Sequence, residues 1–403
     1  MNHSARLIAA MCVAEVATMA GVFAFPALLP VFVTEWALSN TEAGWIAGVY
    51  FGAYAVFVPV LVALTDRVDA RWVYFFGASL AVISSGGFAL LAEGFWSGLL
   101  FRAMAGVALA ATYMPGLKAL VDRYRGPKQS RAVALYTSSF SLGTAVSFLM
   151  AGEIAESFGW RWAFGASALV ALVAVAVAFS LRAVQPRLAA KRTRVLDFRP
   201  VLANRSAMGY VLGYGVHCWE LFTLRSWLVA LLAFNLVSQP SVRGGWPSPT
   251  SVAMLSGLVA MFASVAGNEL CVRFGRPNVI RLIMISSAAM ACVMGFASSL
   301  QYGALVALAL LYSALVQFDS AALTAGAIAA ADPNRQGATM AIHSLFGFGC
   351  ACIGPLVLGV VLDLSGGAAT SFSWGLAFLS VGLIGALGPL ALRLAASGVT
   401  EER

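Results

Sequence analysis

The sequence predicts an all-α integral membrane protein, with twelve transmembrane helices in two pseudo-symmetric six-helix bundles. Three observations lead there. Of its 403 residues, 61% are hydrophobic and 10% charged, against roughly 45–50% and 25% in a soluble domain, and the mean hydropathy is +0.87. Twelve apolar runs each reach the ~20 residues that a membrane crossing requires. A short charged loop around Asp66 has a partial second copy around Arg273.

The runs span 5–33, 44–64, 73–92, 97–119, 131–155, 161–181, 207–235, 251–271, 279–298, 302–327, 337–362 and 371–394. The first begins like a secretory leader, but its apolar stretch from Leu7 to Val33 outruns a leader's ~7–15 apolar residues and carries Glu15, so it reads as a retained helix. The longest gap, 182–206, holds Arg182, Arg187, Lys191, Arg192, Arg194, Arg199 and Arg205. It is read as a basic cytoplasmic linker between a bundle at 1–181 and a bundle at 207–403. Closely spaced small residues such as Gly382, Gly385 and Gly388 suit close helix approach.

Basic residues set the orientation. With a cytoplasmic N-terminus, 21 of the 25 lysines and arginines lie on the inner side. Arg161 and Arg243 stay outside, and Arg102 and Arg225 fall within helices. Both termini are therefore expected in the cytoplasm and the chain in a cell membrane, a bacterial inner membrane on this reading. The net charge of +8 is spread over short loops rather than one polar face, which excludes a nucleic-acid partner. Six cysteines lie in or at the ends of apolar runs, so no disulfide framework is implied. Cys350 and Cys352 read as small packing residues, and neither metal nor cofactor is expected. No phosphate-binding glycine loop, zinc spacing or nucleophile elbow appears in its required context, which argues against an ATP-driven pump and a membrane enzyme.

The charged loop, Leu61 to Trp72, reads LVALTDRVDARW. It resembles GxLaDRxGRR, the loop between helices two and three of major facilitator superfamily transporters. Asp66, Arg67 and Arg71 fall on the motif's Asp, first Arg and last basic position, while Val62 and Asp69 occupy glycine positions. In the second copy, NELCVRFGRP at 268–277, Arg273, Gly275 and Arg276 match the motif's end and Val272 replaces its Asp. RAVALYTSSFSLGT at 131–144, laid on GATMAIHSLFGFGC at 337–350, pairs Ser138 with Ser344, Phe140 with Phe346 and Gly143 with Gly349. Such duplication is the parallel repeat of this fold. The resemblance implies that Asp66, Arg67, Arg71, Arg273, Gly275 and Arg276 form a conformational latch between helix ends.

Charges within hydrocarbon are costly and mark pathways or partners. Glu15 lies in the first run, Arg102 in the fourth, His217, Glu220 and Arg225 in the seventh, and Asp319 in the tenth. These open the four three-helix groups, and the family resemblance implies that they line a central cavity. His343, in the eleventh run, reads as a contact to backbone or water. At ~1.5 Å per residue, Glu15 and His217 lie near the midplane, Arg102 and Arg225 in the outer third and Asp319 in the inner third. At about 100° per residue, Arg102, Gly106 and Tyr113 share a stripe, Tyr210, His217 and Glu220 cluster, and Tyr312 shares a face with Asp319.

The candidate substrate and proton groups are therefore Glu15, Arg102, Tyr113, His217, Glu220, Arg225 and Asp319. Arg102 opens RAMAG, which resembles the family's helix-four RxxxG and implies proton coupling or substrate contact. Arg102 and Arg225 suit an oxyanion. Glu15, Glu220, Asp319 or His217 suit a coupled proton. Glu220 also admits pairing with a neighbouring basic group, and His217 a packing role.

The reading is a secondary active transporter working by alternating access on a small organic or inorganic anion, with proton coupling. A loose similarity to cyanate and nitrate/nitrite permease-like branches, through YMPG at 113–116, points the same way. Alternatives are a proton-coupled drug or metabolite efflux antiporter, although SFLMAG at 147–152 departs from the exporters' GPxxGG, and a non-transporting sensor or scaffold. The expected partners are the lipid bilayer, a small-molecule substrate and a proton, with the chain acting as a monomer.

Overall fold

The computed structural model describes residues 3–124, 129–185, 198–239, 245–333 and 335–397. Arg125, Lys128, Arg243, Arg403 and residues 186–197 of the expected linker lie outside them. Every regular element among the described residues is helical. Eleven stretches are long and apolar enough to cross a membrane as helix, and the chain is a multi-pass membrane protein.

The first predicted run differs from expectation. Instead of one helix over 5–33, it forms α1 (His3–Met19), α2 (Ala24–Ala27) and α3 (Leu29–Glu35). Pro26 is the physical reason: it has no N–H for the carbonyl of Val22, and its ring crowds that carbonyl. Gly21 adds backbone freedom next to it.

The next helices are α4 (Asn40–Leu64), α5 (Ala70–Leu91), α6 (Phe95–Arg123), α7 (Gln129–Phe158) and α8 (Trp160–Ser180). α4 starts earlier than the expected residue 44 because Ser39-Asn-Thr-Glu42 is a capping box. Glu42 Oε2 accepts the Ser39 N–H at 2.9 Å, and Ser39 Oγ accepts the Glu42 N–H at 3.2 Å. A short α9 (Arg199–Ala203) falls in the stretch expected to be linker. It leads into α10 (Arg205–Ser238), α11 (Pro249–Phe274) and α12 (Arg276–Met294). The tenth run is interrupted between α13 (Tyr302–Gln317) and α14 (Ser320–Ala330). α15 (Gln336–Leu364), α16 (Ser371–Gly385) and α17 (Gly388–Ser397) follow.

The helices group into two compact units, Met1–Leu28 with Val49–Thr193, and Leu29–Gly48 with Arg194–Arg403. In the first, α5 packs between α6 and α8, and α1 against α7 and α8. Gly106 lets α6 meet the α4 backbone, since a Cβ there would strike the Tyr50 carbonyl. In the second unit, α10 is the hub, packed on α14, α15 and α17.

Residues 29–48 join the second unit through α15. Gly44, Gly48 and Gly359 sit against the backbone of Pro355, Cys352 and Asn40, leaving no room for a Cβ. Asp363 completes the contact. Its Oδ1 accepts the Asn40 backbone and amide N–H groups at 3.1 and 2.8 Å, and its Oδ2 accepts the Thr41 N–H and hydroxyl at 2.8 and 2.6 Å. A carboxylate at a helix N-terminus also complements the helix dipole.

Candidate functional site

The break between α1 and α2 leaves backbone groups without helical partners, and buried side chains take them. Arg102, 1% exposed, donates from Nη1 to the carbonyl of Val22 at 2.9 Å and lies 3.4 Å from that of Gly21. Its guanidinium lies over the Tyr50 ring, 4.4 Å from the centroid. Ser147 bridges the same gap, accepting the Phe23 N–H at 2.9 Å and donating to the Ala20 carbonyl at 2.8 Å. The arginine expected to bind an anion thus spends one nitrogen on the chain's own backbone. Its Nε and Nη2 have no hydrogen-bond partner among the described residues. A small cavity beside the break is lined by Thr18, Gly21, Val22, Tyr50, Ser84 and Thr112 among others.

Glu15 sits one turn before the break and is fully buried. Its Oε2 accepts the Tyr136 hydroxyl at 2.7 Å, while Oε1 has no partner among the described residues. The Tyr136 oxygen also lies 3.1 Å from the carbonyl of Tyr113 and 3.3 Å from that of Thr112. One hydroxyl proton serves three acceptors. If the carboxylate is ionised, Tyr136 donates to it; if it is protonated, Glu15 can donate to Tyr136 and free that proton for helix α6. Tyr113 contributes this carbonyl and a ring parallel to that of Tyr136, with centroids 6.3 Å apart.

At the α4–α5 loop the charge pairs centre on Asp69, a residue that the motif comparison placed on a glycine. Asp69 caps α5 through the Arg71 N–H at 3.0 Å. It also receives Arg123 Nη2 at 2.7 and 2.8 Å and the Val184 N–H at 2.7 Å. Arg71 Nη1 holds the Leu181 carbonyl at 2.7 Å. The expected latch residues Asp66 and Arg67 are exposed, and Asp66 reaches Lys118 only at 4.0 Å. In the second copy Arg273 pairs with Glu269 on its own helix at 2.8 Å. Gly275 turns the chain between α11 and α12 at φ +91°, a conformation that disfavours other residues, and Arg276 opens α12.

Burial would raise the Asp69 carboxyl, but Arg123 and the N–H groups of Arg71 and Val184 outweigh it and hold the group below its ordinary value. The sign follows from linkage. The contribution of Asp69 is complete above the unfolded carboxylate value and is lost as pH falls through the depressed folded one. Thermal melts of wild type and Asp69→Asn should therefore differ at neutral pH and converge on acidification. A pH-independent difference would contradict this role.

The second unit gathers the remaining candidates. His217 Nδ1 and Asp319 Oδ1 approach to 2.7 Å, and both residues are 2% exposed. Glu220, 3% exposed, accepts the Ser287 hydroxyl at 3.1 Å on Oε2 and faces the Tyr312 hydroxyl. The His217–Asp319 contact joins two residues that counting along their runs places at different depths. α10 has 34 residues, roughly 51 Å of helix, so position along it does not read depth directly. Arg225 donates to Gln317 at 3.4 Å. His343 stacks on Tyr214 at 3.8 Å and approaches the Thr324 hydroxyl at 3.2 Å. Tyr214 also faces His217, with ring centroids 5.5 Å apart.

The comparisons agree with this architecture. The sequence profile of the Major Facilitator Superfamily matches residues 11–355. The chain belongs to that superfamily. This is a family of transporters rather than enzymes. Protein spinster homolog 1 of Homo sapiens is 24% identical over 292 residues, 68% of this chain and 55% of the relative. The chain thus spans about half the length of the curated relatives it matches. The multidrug efflux pump LfrA of Mycolicibacterium smegmatis is 31% identical over 166 residues, covering 40% of this chain and 30% of the pump. The crystal structure of a bacterial homolog to the human lysosomal transporter Spinster, inward-facing and occupied, matches with a TM-score of 0.75 at 16% identity. That match covers 100% of this chain and 99% of the other, and it shows the fold.

Proposed function

We propose that this superfamily member is a proton-coupled secondary transporter that exports an amphipathic organic solute by alternating access, with Glu15 as the proton-carrying group. The observation that carries the reading is the buried Glu15 carboxyl with one oxygen on Tyr136 and the other unpartnered among the described residues. An anion so placed in apolar surroundings is costly, so its occlusion favours a bound proton and its exposure to water favours release. Similarity to a relative of Arabidopsis thaliana named a probable sphingolipid transporter, and to a multidrug efflux pump, supports an amphipathic solute. On this reading the bundles 1–181 and 207–403 rock about the linker, both termini are cytoplasmic by the distribution of basic residues, and the chain works as a monomer.

A second reading, symport of a small anion, is favoured by the two open nitrogens of Arg102 beside the lined cavity. Reconstituted proteoliposomes separate the two. With an imposed proton gradient, the first reading predicts that a fluorescent amphipathic cation moves against the proton flow. Small anions should show no proton-stimulated entry. Proton-stimulated anion uptake without movement of the cation would replace the first reading with the second.

A further inference from the structure

We propose that the second unit holds a proton-binding site of its own, formed by Glu220 and the His217–Asp319 pair. Its use in transport rests on the proton-coupled reading above, but its occupancy does not, so the two can fail separately.

The geometry supplies a count of protons. An imidazole nitrogen and a carboxylate oxygen 2.7 Å apart need a proton between them, since two lone pairs repel at that distance. His217 is thus the near neighbour of Asp319, and proton uptake by the group falls to Glu220. Glu220 has one oxygen on the Ser287 hydroxyl and faces the Tyr312 hydroxyl as well. It follows His217 by three residues on α10, one turn along the same face, which sets its buried carboxylate next to the His217–Asp319 pair. Two buried carboxylates in such proximity cannot both remain ionised cheaply. Arg225 supplies one positive charge, bonded to Gln317 two residues before Asp319. One proton on Glu220 then leaves the charges of Arg225 and Asp319 to balance.

Among the described residues, the groups that face the site from the neighbouring elements are these. α10 contributes Tyr214, Cys218 and Arg225, and α11 contributes Cys271, which senses Asp319. α12 brings Ser287, Cys292 against Glu220 and, toward Tyr210, Arg276 and Arg281. Tyr312 comes from α13, and His343 and Cys350 from α15. Gly385 of α16 leaves the space occupied by Glu220 Oε2, 3.3 Å from where its Cβ would stand.

The test is pH-difference infrared spectroscopy of the purified full-length protein in lipid nanodiscs in sodium-free buffer, reading the protonated-carboxyl C=O bands. Wild type should show at least two titrating bands, one removed by Glu15→Gln and a different one removed by Glu220→Gln. His217→Gln should shift the titration midpoint of the Glu220 band, and it serves as the decisive variant if Glu220→Gln does not fold. A spectrum unchanged by Glu220→Gln, or a midpoint unmoved by His217→Gln, would overturn the proposal. So would displacement of the Glu220 band by sodium at constant pH, which would make the site a metal-cation site. Persistence of the Glu220 band with no band assignable to Glu15 would sink only the role given to Glu15.

Discussion

Glu15→Gln is expected to abolish uphill transport while sparing downhill exchange. The amide keeps the shape of the protonated carboxyl and its contact with Tyr136, so the occluded state remains accessible. It cannot release a proton when exposed, so the gradient loses its purchase on the cycle. Coupling free energies between linked sites run to about 1–3 kcal/mol, so gradient-driven accumulation should fall roughly 10- to 100-fold. Exchange across a membrane without a gradient should persist near the wild-type rate. Retained uphill transport in the Gln variant would move the proton to another group.

Arg102→Ala should have the largest effect on stability. It strips the donor from the Val22 carbonyl, leaves that of Gly21 without its nearby guanidinium and removes the charge stacked on Tyr50. Charge-assisted hydrogen bonds contribute about 1.5–3 kcal/mol each, and a desolvated cation–π contact adds about 2 kcal/mol. A loss on the order of 3–5 kcal/mol should appear as a fall of several degrees in the thermal melt in lipid or detergent. Arg102→Lys should recover part of it, because a compact ammonium keeps the charge but cannot both stack and reach the carbonyl. If Arg102→Ala instead melts with the wild type and selectively loses anion transport, the arginine is a substrate group and not a clamp on the break.

Much of the fold was legible because membrane solvation acts locally. Apolar runs and basic loops register in any window of sequence, so among the described residues eleven of the expected runs are long and apolar enough to cross a membrane, with interruptions in the tenth and the last, while the first is broken into α1, α2 and α3. That break was also written in the chain, in Gly21 and Pro26, but length and hydropathy outweighed it. The interruption at Phe318–Asp319 has no comparable signal, since neither residue is a glycine or proline and both keep right-handed helical dihedrals.

The candidate sites were legible as residue types and not as partnerships. Glu15, His217, Glu220 and Asp319 stood out because charges in apolar runs are rare. Tyr136, Ser147, Tyr214 and Asp69 did not. Tyr136 and Ser147 are separated from their partners by more than a hundred residues, and nothing local distinguishes them. Asp69 was obscured by the motif itself, which assigns its position to glycine, although an Asp before Ala-Arg-Trp is a good helix cap. The repeat also diverges in its packing. Gly143 has no space for a Cβ beside Met19, while its counterpart Gly349 faces open space.

The central claim, that solute and proton move in exchange, is tested most directly by proteoliposomes containing a trapped pH dye. An outwardly directed gradient of an amphipathic cation, imposed with no initial pH difference, should acidify the lumen as protons enter against the departing solute. The signal should vanish in Glu15→Gln. Solute efflux at the wild-type rate with no change in lumenal pH, under conditions where added protonophore shows the dye to respond, would contradict the account.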